Sequence, residues 1–239
     1  MLNHPFQVKR RISGPATTLI IELESGNNID IDLVPVFAFK PEMMQFYSNI
    51  WNIIDTSNEG PYWLSGHQLK FQKSVRTALK SEFFVVPKPS SRMESEWRLD
   101  FHDPEIKIID NIGCAKPVIK FLKLFRNMNS PLKMLSSYSL KTIVMDMIRN
   151  DPRDDWDPRE EASYFIKALK HLLIKLEQGK IGYFFDENSN ILWKVTDIQL
   201  SNMSNFLKRT IDRLDKSQNT PECRKVWMKY LQPWILGFF

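Results

Sequence analysis

Near Ile106 the apolar pattern of this chain changes period, and few folds accommodate that change. Before it, apolar and polar residues alternate. Ile29, Ile31 and Leu33 enclose Asp30 and Asp32, the period-2 signature of a strand with one buried face. The run ATTLIIELE lies just ahead, across the polar turn Glu24-Ser25-Gly26-Asn27-Asn28, so the two runs read as a β-hairpin. Residues 96–101 (EWRLDF) alternate again, and residues 83–86 form a short apolar run ended by prolines. After Ile106 the period is 3.6. The pattern predicts helices over 114–127 and 136–150, then one started by Asp157-Pro158-Arg159-Glu160 and ending near Gly179. Further helices are expected over roughly 201–214 and 221–231, after a loop around 186–189. The fold class is α+β, divided into a sheet-bearing part (1–105) and a helical part (106–239).

Other stretches fit this plan less sharply. Residues 1–12 read as a lead-in whose Lys9, Arg10 and Arg11 are solvated or meet nucleic acid, and Ser13-Gly14-Pro15 breaks the chain. Residues 41–54 have helical spacing. Residues 68–80 suggest an amphipathic helix with Lys73, Arg76 and Lys80 in one stripe. From 33 to 37 the run is wholly apolar, so Asp32 is expected at the edge of a buried segment, where a carboxylate needs a partner.

A chain of 239 residues can bury a sizeable core, and seven Trp and sixteen Phe supply one. The sequence contains no signal peptide and no apolar run long enough to span a bilayer, which points to a cytoplasmic protein without membrane partners. A net charge of +5 leans towards polyanionic partners. The two cysteines, Cys114 and Cys223, make neither a disulfide framework nor a zinc site.

Metal-assisted nucleotidyl transfer needs carboxylates that bridge two divalent ions, cations on the phosphates and a surface that stacks the base. Asp32 could be one carboxylate, and an exposed acidic strand face explains it equally. Lys120, Lys123 and Lys141 could hold phosphates, Ser137 could donate a hydrogen bond and Tyr138 could stack a base; on spacing alone each also fits a solvated helix face. No competing site stands out. The four histidines are scattered, and there is no GxSxG elbow, P-loop or dinucleotide-binding glycine pattern.

The motifs IDIDLVPVF, FFVVPKP, EWRLDF followed by Glu105, CAKPVIKFLK, LSSYSLKT and WDPREEASYFIKAL occur in one order. In that order, from about 29 to 214, the chain resembles the C-terminal two-thirds of cyclic GMP–AMP synthase-like receptors, within the male-abnormal twenty-one family. The resemblance implies a nucleotidyltransferase palm, here a partial mixed sheet, followed by an all-helical C-terminal lobe. It implies that Asp32 is a catalytic, metal-binding carboxylate. It places Arg98, Glu105, Lys123, Ser137, Tyr138 and Lys141 around a nucleotide, and Lys116 and Lys120 against nucleic acid. Implied with them are Mg²⁺ or Mn²⁺ as cofactor, ATP and GTP as substrates, and double-stranded nucleic acid, RNA rather than DNA, as activator. A homodimer on nucleic acid is a further implied partner, and innate immune signalling is the implied setting.

Two departures stand out. The family's first metal motif belongs upstream of Pro15 and has no counterpart here, so the sequence reads as N-terminally truncated. Two-metal chemistry is then expected to fail in this polypeptide, and a non-catalytic nucleotide- or nucleic-acid-binding module is the alternative. The zinc-binding insertion of the vertebrate enzyme would fall between Asp110 and Cys114 and is absent, so no zinc site is expected.

Overall fold

A computed structural model describes residues 7–13, 16–23, 26, 28–39, 83–86, 98–110, 112–150 and 156–217. The expected helices at 41–54, 68–80 and 221–231, together with Cys223, lie outside the described residues.

The N-terminal part opens with a three-stranded antiparallel sheet in the order β1 (Gln7–Ser13), β2 (Ala16–Glu22), β3 (Asn28–Leu33). Asp32 stands opposite Thr18, and Asp30 opposite Ile20. Gly26, with φ of +77°, turns the chain between β2 and β3, as its left-handed backbone requires. The expected lead-in is therefore a strand. Lys9 lies opposite Ile20 and pairs with Glu22 at 2.5 Å, while Arg11 approaches Asp30 at 3.9 Å. Three consecutive basic residues hid the alternation there, because Arg10 occupies a position on the apolar face.

That register sorts the sheet into two faces. One carries Lys9, Arg11, Thr18, Glu22, Asp30 and Asp32; the other carries Val8, Ile12, Leu19, Ile21, Ile29, Ile31 and Leu33. The expectation of a buried face is corrected here. Ile29, Ile31 and Leu33 are 47%, 40% and 50% exposed, and residues 34–38 are exposed too. Among the described residues no layer covers this face.

A second antiparallel sheet, ordered β4 (Phe37–Phe39), β5 (Phe83–Val86), β6 (Arg98–Asp100), joins the main core. Phe39, Phe83, Phe101 and Phe185 follow one another ring against ring at 5.6, 6.0 and 4.4 Å, which links this sheet to the helices. Every described pairing is antiparallel.

The helical lobe follows. Asp100 Oδ1 accepts the His102 N–H at 2.8 Å and so starts α1 (His102–Asp110), which runs through the change of period near Ile106. Helix α2 (Ala115–Met128) buries Ala115, Val118, Ile119, Leu122 and Phe125, the stripe its spacing predicts. Helix α3 (Ser137–Asn150) is capped by Ser136, whose Oγ accepts the Ser139 N–H at 2.9 Å. Helix α4 (Glu161–Glu177) follows a short turn in which Asp157 accepts the Arg159 N–H, and it buries Phe165, Leu169, Leu172 and Leu176. Gly179, with φ of +65°, ends it.

The expected loop around 186–189 is instead half of a hairpin, β7 (Gly182–Tyr183) with β8 (Asp186–Asn190). The polar sequence concealed it, but Asn190 bonds Gly179 O, Ile181 N and Leu192 N, and these bonds hold the return of the chain. Helix α5 (Asp197–Ser217) starts earlier than its periodicity suggests, at a reciprocal cap between Thr196 and Gln199. No described helix is long and apolar enough to cross a membrane.

One corner ties α1 and α2 to the loop before α4. The Cys114 N–H donates to Trp156 O at 2.9 Å, and a Cβ on Gly113 would stand 1.9 Å from that same oxygen, so only glycine fits. Trp156 itself has φ of +53°, a strained conformation for a bulky residue. Its ring stacks on Tyr164 at 4.5 Å, and its backbone N–H donates to the Tyr164 hydroxyl at 3.0 Å. Cys114 is buried, as a structural helix-start cysteine would be.

Candidate functional site

The first turn of α1 carries Glu105, only 2% exposed. Helix α3 brings Tyr138 and Lys141 to it from one face, because residues three apart are neighbours on a helix. The Tyr138 hydroxyl donates to Glu105 Oε1 at 2.6 Å, and Lys141 Nζ forms an ion pair with Oε2. Lys141 Nζ also lies 5.1 Å from the centre of the Tyr138 ring. Burial pushes the Glu105 carboxyl above its ordinary value, and the charge and hydrogen bond of Lys141 and the Tyr138 hydroxyl offset this only in part. Across the site, the Tyr183 ring of β7 packs against Tyr138 at 5.3 Å between centres.

Three cations crowd the same region. Burial, then the neighbouring charges of Lys141 and Arg126, pull Lys123 below the ordinary lysine value. Arg126 Nη1 donates to Ser137 Oγ at 3.1 Å and to Leu135 O at 3.0 Å. Ser137 is the first residue of α3, where the unpaired N–H groups and the helix dipole favour an anion. Chemically, the arrangement offers an aromatic face, a buried acceptor and a cluster of mutually repelling cations that an anion would relieve.

Sequence reasoning therefore named Glu105, Lys123, Ser137, Tyr138 and Lys141, and the fold brings them together. It missed Arg126 and Tyr183. Arg126 was legible as the residue one turn beyond Lys123; Tyr183 depends on the hairpin that the polar sequence concealed.

The remaining candidates lie elsewhere. Arg98 opens β6 opposite Val86, and its side chain lies outside what is described. Lys116 is paired with Asp110 at 2.5 Å, and Lys120 is exposed, both on the outer part of α2. Asp32 is exposed, and the apolar run after it, expected to be buried, is exposed with it. Asp32 sits on the open charged face of the first sheet, where its Oδ1 accepts the Thr18 hydroxyl at 2.6 Å. Its neighbour on that face, Asp30, is turned towards Arg11. Among the described residues no three carboxylate, histidine or cysteine side chains converge as metal ligands. The residues described do not fit a two-metal centre.

Comparison with known proteins bears on the family and the fold. The family model for the Mab-21 protein nucleotidyltransferase domain matches residues 2–111, and that for the Mab-21 protein HhH/H2TH-like domain matches residues 114–209. A cyclic GMP-AMP synthase-like receptor of Ctenocephalides felis is 30% identical over 236 residues, covering 95% of this chain and 49% of that protein. One from Aethina tumida is 30% identical over 211 residues, 87% of this chain and 47% of that protein. The cyclic GMP-AMP synthase of Mus musculus is 29% identical over 209 residues, 77% of this chain and 38% of that enzyme. The chain spans about half the length of the curated relatives it matches most extensively. With a nucleotidyltransferase match leading directly into a helical one, and only short stretches of the chain left uncovered, the protein belongs to the Mab-21 family.

Proposed function

We propose that this chain supplies the nucleotide-recognition half of a cyclic-dinucleotide-forming nucleotidyltransferase acting in innate immune signalling, with ATP and GTP as substrates and double-stranded nucleic acid, RNA before DNA, as activator. The observation that carries the reading is the Glu105–Tyr138–Lys141 cluster beside Lys123, Arg126 and Ser137. In it Tyr138 stacks the base, as an aromatic face does for any nucleobase. Lys123 and the start of α3 take the phosphates, and Glu105 holds Tyr138 and Lys141 in position. Lys116 and Lys120 face the nucleic acid, and Arg98 contacts the nucleotide. Mg²⁺ or Mn²⁺ is the cofactor of this chemistry, with Asp32 as one ligand; the described carboxylates do not complete such a site.

Incubation of the purified full-length protein with ATP, GTP, Mn²⁺ and double-stranded RNA, followed by mass spectrometry, tests the reading. A cyclic dinucleotide that disappears on Tyr138→Ala is the expected result. Saturable ATP or GTP binding with no product in any condition would overturn the enzyme and leave a second reading, a non-catalytic Mab-21 binding module. What favours that second reading is Asp32, which stands on an exposed strand where, among the described residues, only Asp30 offers a second carboxylate. Absence of both binding and product would remove both readings.

A further inference from the structure

Between α2 and α3 the chain doubles back through a tight turn at Ser130–Leu132, and one side chain spans the gap. Leu132 and Leu135 anchor this loop in the core. Leu135 O lies ahead of the α3 ladder, in which the Leu140 N–H is already bonded to Ser136 O. A carbonyl so close to the core needs a donor from elsewhere. Arg126, in the last turn of α2, supplies it: Nη1 donates to Leu135 O at 3.0 Å and to Ser137 Oγ at 3.1 Å.

The other edge of the guanidinium is held too. Asn127 Oδ1 accepts Nε at 3.0 Å and Nη2 at 2.8 Å, so the planar group is fixed from both sides. A plain account would have an arginine near a helix end bond the last carbonyls of its own helix. None of these bonds does that. The two from Nη1 reach residues nine and eleven positions further along the chain. Nor does Arg126 cap α3, since Ser136 Oγ takes the Ser139 N–H.

The consequence falls on Ser137. A guanidinium N–H can only donate, so Ser137 Oγ is the acceptor and its own proton is left for another acceptor. A charged donor on the oxygen also polarises that O–H bond. Ser137 is exposed, and it opens the helix that carries Tyr138 and Lys141. An exposed, polarised hydroxyl at a helix start suits a phosphoryl oxygen.

We propose that Arg126 is a positioning residue for nucleotide binding. Its fork fixes the loop before α3 and sets the Ser137 hydroxyl as a donor to a phosphoryl oxygen of the nucleotide. The guanidinium does not take the phosphate itself; Lys123 supplies that cation. This role rests on the nucleotide reading and gives Arg126 a part within it.

Equilibrium titration of ATP into the purified full-length protein, arranged as a double-mutant cycle, tests the role. Ser137→Ala should weaken binding about tenfold, the loss of one hydrogen bond to a charged group. Arg126→Gln should weaken it about as much. Arg126→Lys should do no better, because an ammonium keeps the charge but lacks the fork that bridges two acceptors. The double variant, Ser137→Ala with Arg126→Gln, should bind no more weakly than either single one. A further tenfold loss in the double variant would put Arg126 on the phosphate or on the site at large, and would overturn the proposal. Full affinity in Arg126→Lys would reduce the fork to its charge and overturn it as well. Ser137 is exposed, so Ser137→Ala leaves folding intact, and parental affinity in that variant refutes the role without any change at Arg126. A parent that binds no ATP is a different failure: it removes the nucleotide reading itself, and the positioning role goes with it.

Discussion

The first sheet and the helical lobe carry equally clear amphipathic patterns and meet opposite fates. Ile29, Ile31 and Leu33 alternate as strictly as any strand and remain 40–50% exposed, whereas Leu169, Leu172 and Leu176 recur at helical spacing and are at most 1% exposed. The difference lies not in the residues but in what faces them. The apolar stripes of the lobe's helices share one core with one another and with the second sheet; the apolar face of β1–β3 meets no described layer. Period sets local geometry, while burial requires a second surface. The chemistry follows the same line. Glu105, packed beneath α3, has its carboxyl moved by burial, and Asp32, on the open sheet, keeps one hydrogen bond to Thr18.

Experiments can break that contrast or sharpen it. The largest effect should come from Glu105→Ala, which strands Tyr138 and Lys141 and should cost about 3–5 kcal/mol in urea unfolding, as breaking a buried pair from one side does. The matched change on the sheet, Asp32→Ala, removes one part-buried hydrogen bond, from Thr18, and should cost about 1 kcal/mol. Equal losses would mean that the two carboxylates sit in like environments. Next comes packing. Leu169→Ala should cost about 3 kcal/mol by leaving a cavity in the core, and Ile31→Ala well under half of that. A full-sized loss at Ile31 would show that the sheet face is covered in solution.

Nucleotide binding should separate the regions by a smaller amount. Lys123→Gln should weaken ATP binding about tenfold by equilibrium titration, since one charge-assisted contact is lost, while Lys9→Gln changes nothing. The pH response should be the subtlest. Glu105 holds its proton more tightly in the folded chain than its ordinary 4.5, so its contribution favours folding in acid and fades as pH climbs through 4.5 towards the folded value. Asp146 is opposite. Burial alone would raise its carboxyl, but His171 and the charges of Arg149 and Lys175 outweigh it. Its contribution is present above the ordinary 3.8 and is lost as pH falls towards its lower folded value. Relative to the parent, Glu105→Gln should therefore lose ground as pH drops from 6 to 4, and Asp146→Asn should gain ground below about 4, as thermal melts across pH would record.

How much of this was legible beforehand follows from the same physics. Helices α2 and α4 could be read because Val118, Ile119, Leu122 and Phe125, and then Phe165, Leu169, Leu172 and Leu176, recur at 3.6 residues. Strand β1 was missed because Arg10 interrupts its apolar side, and β8 because DENSN carries no apolar signal at all. The burial of the run after Asp32 was misjudged from its apolar residues, which record only that a cover is wanted. In the site, residue identities came from motif order, and spacing alone left each lysine indistinguishable from a solvated one. Tyr183 depends on a strand meeting a helix, a contact far apart in sequence that no local window contains.

Gly113 has no side chain and stands outside the proposed nucleotide site, yet it governs the alignment of the groups within it. It lies between α1, which carries Glu105, and α2, which carries Lys123, pressed against the Trp156 carbonyl with no room for one more carbon. Any side chain there would wedge the two helices apart and shift the carboxylate relative to the lysine. In a screen for lost nucleotide recognition, position 113 should therefore rank with the charged residues as intolerant. The pocket's alignment is inherited from a corner that takes no part in its chemistry.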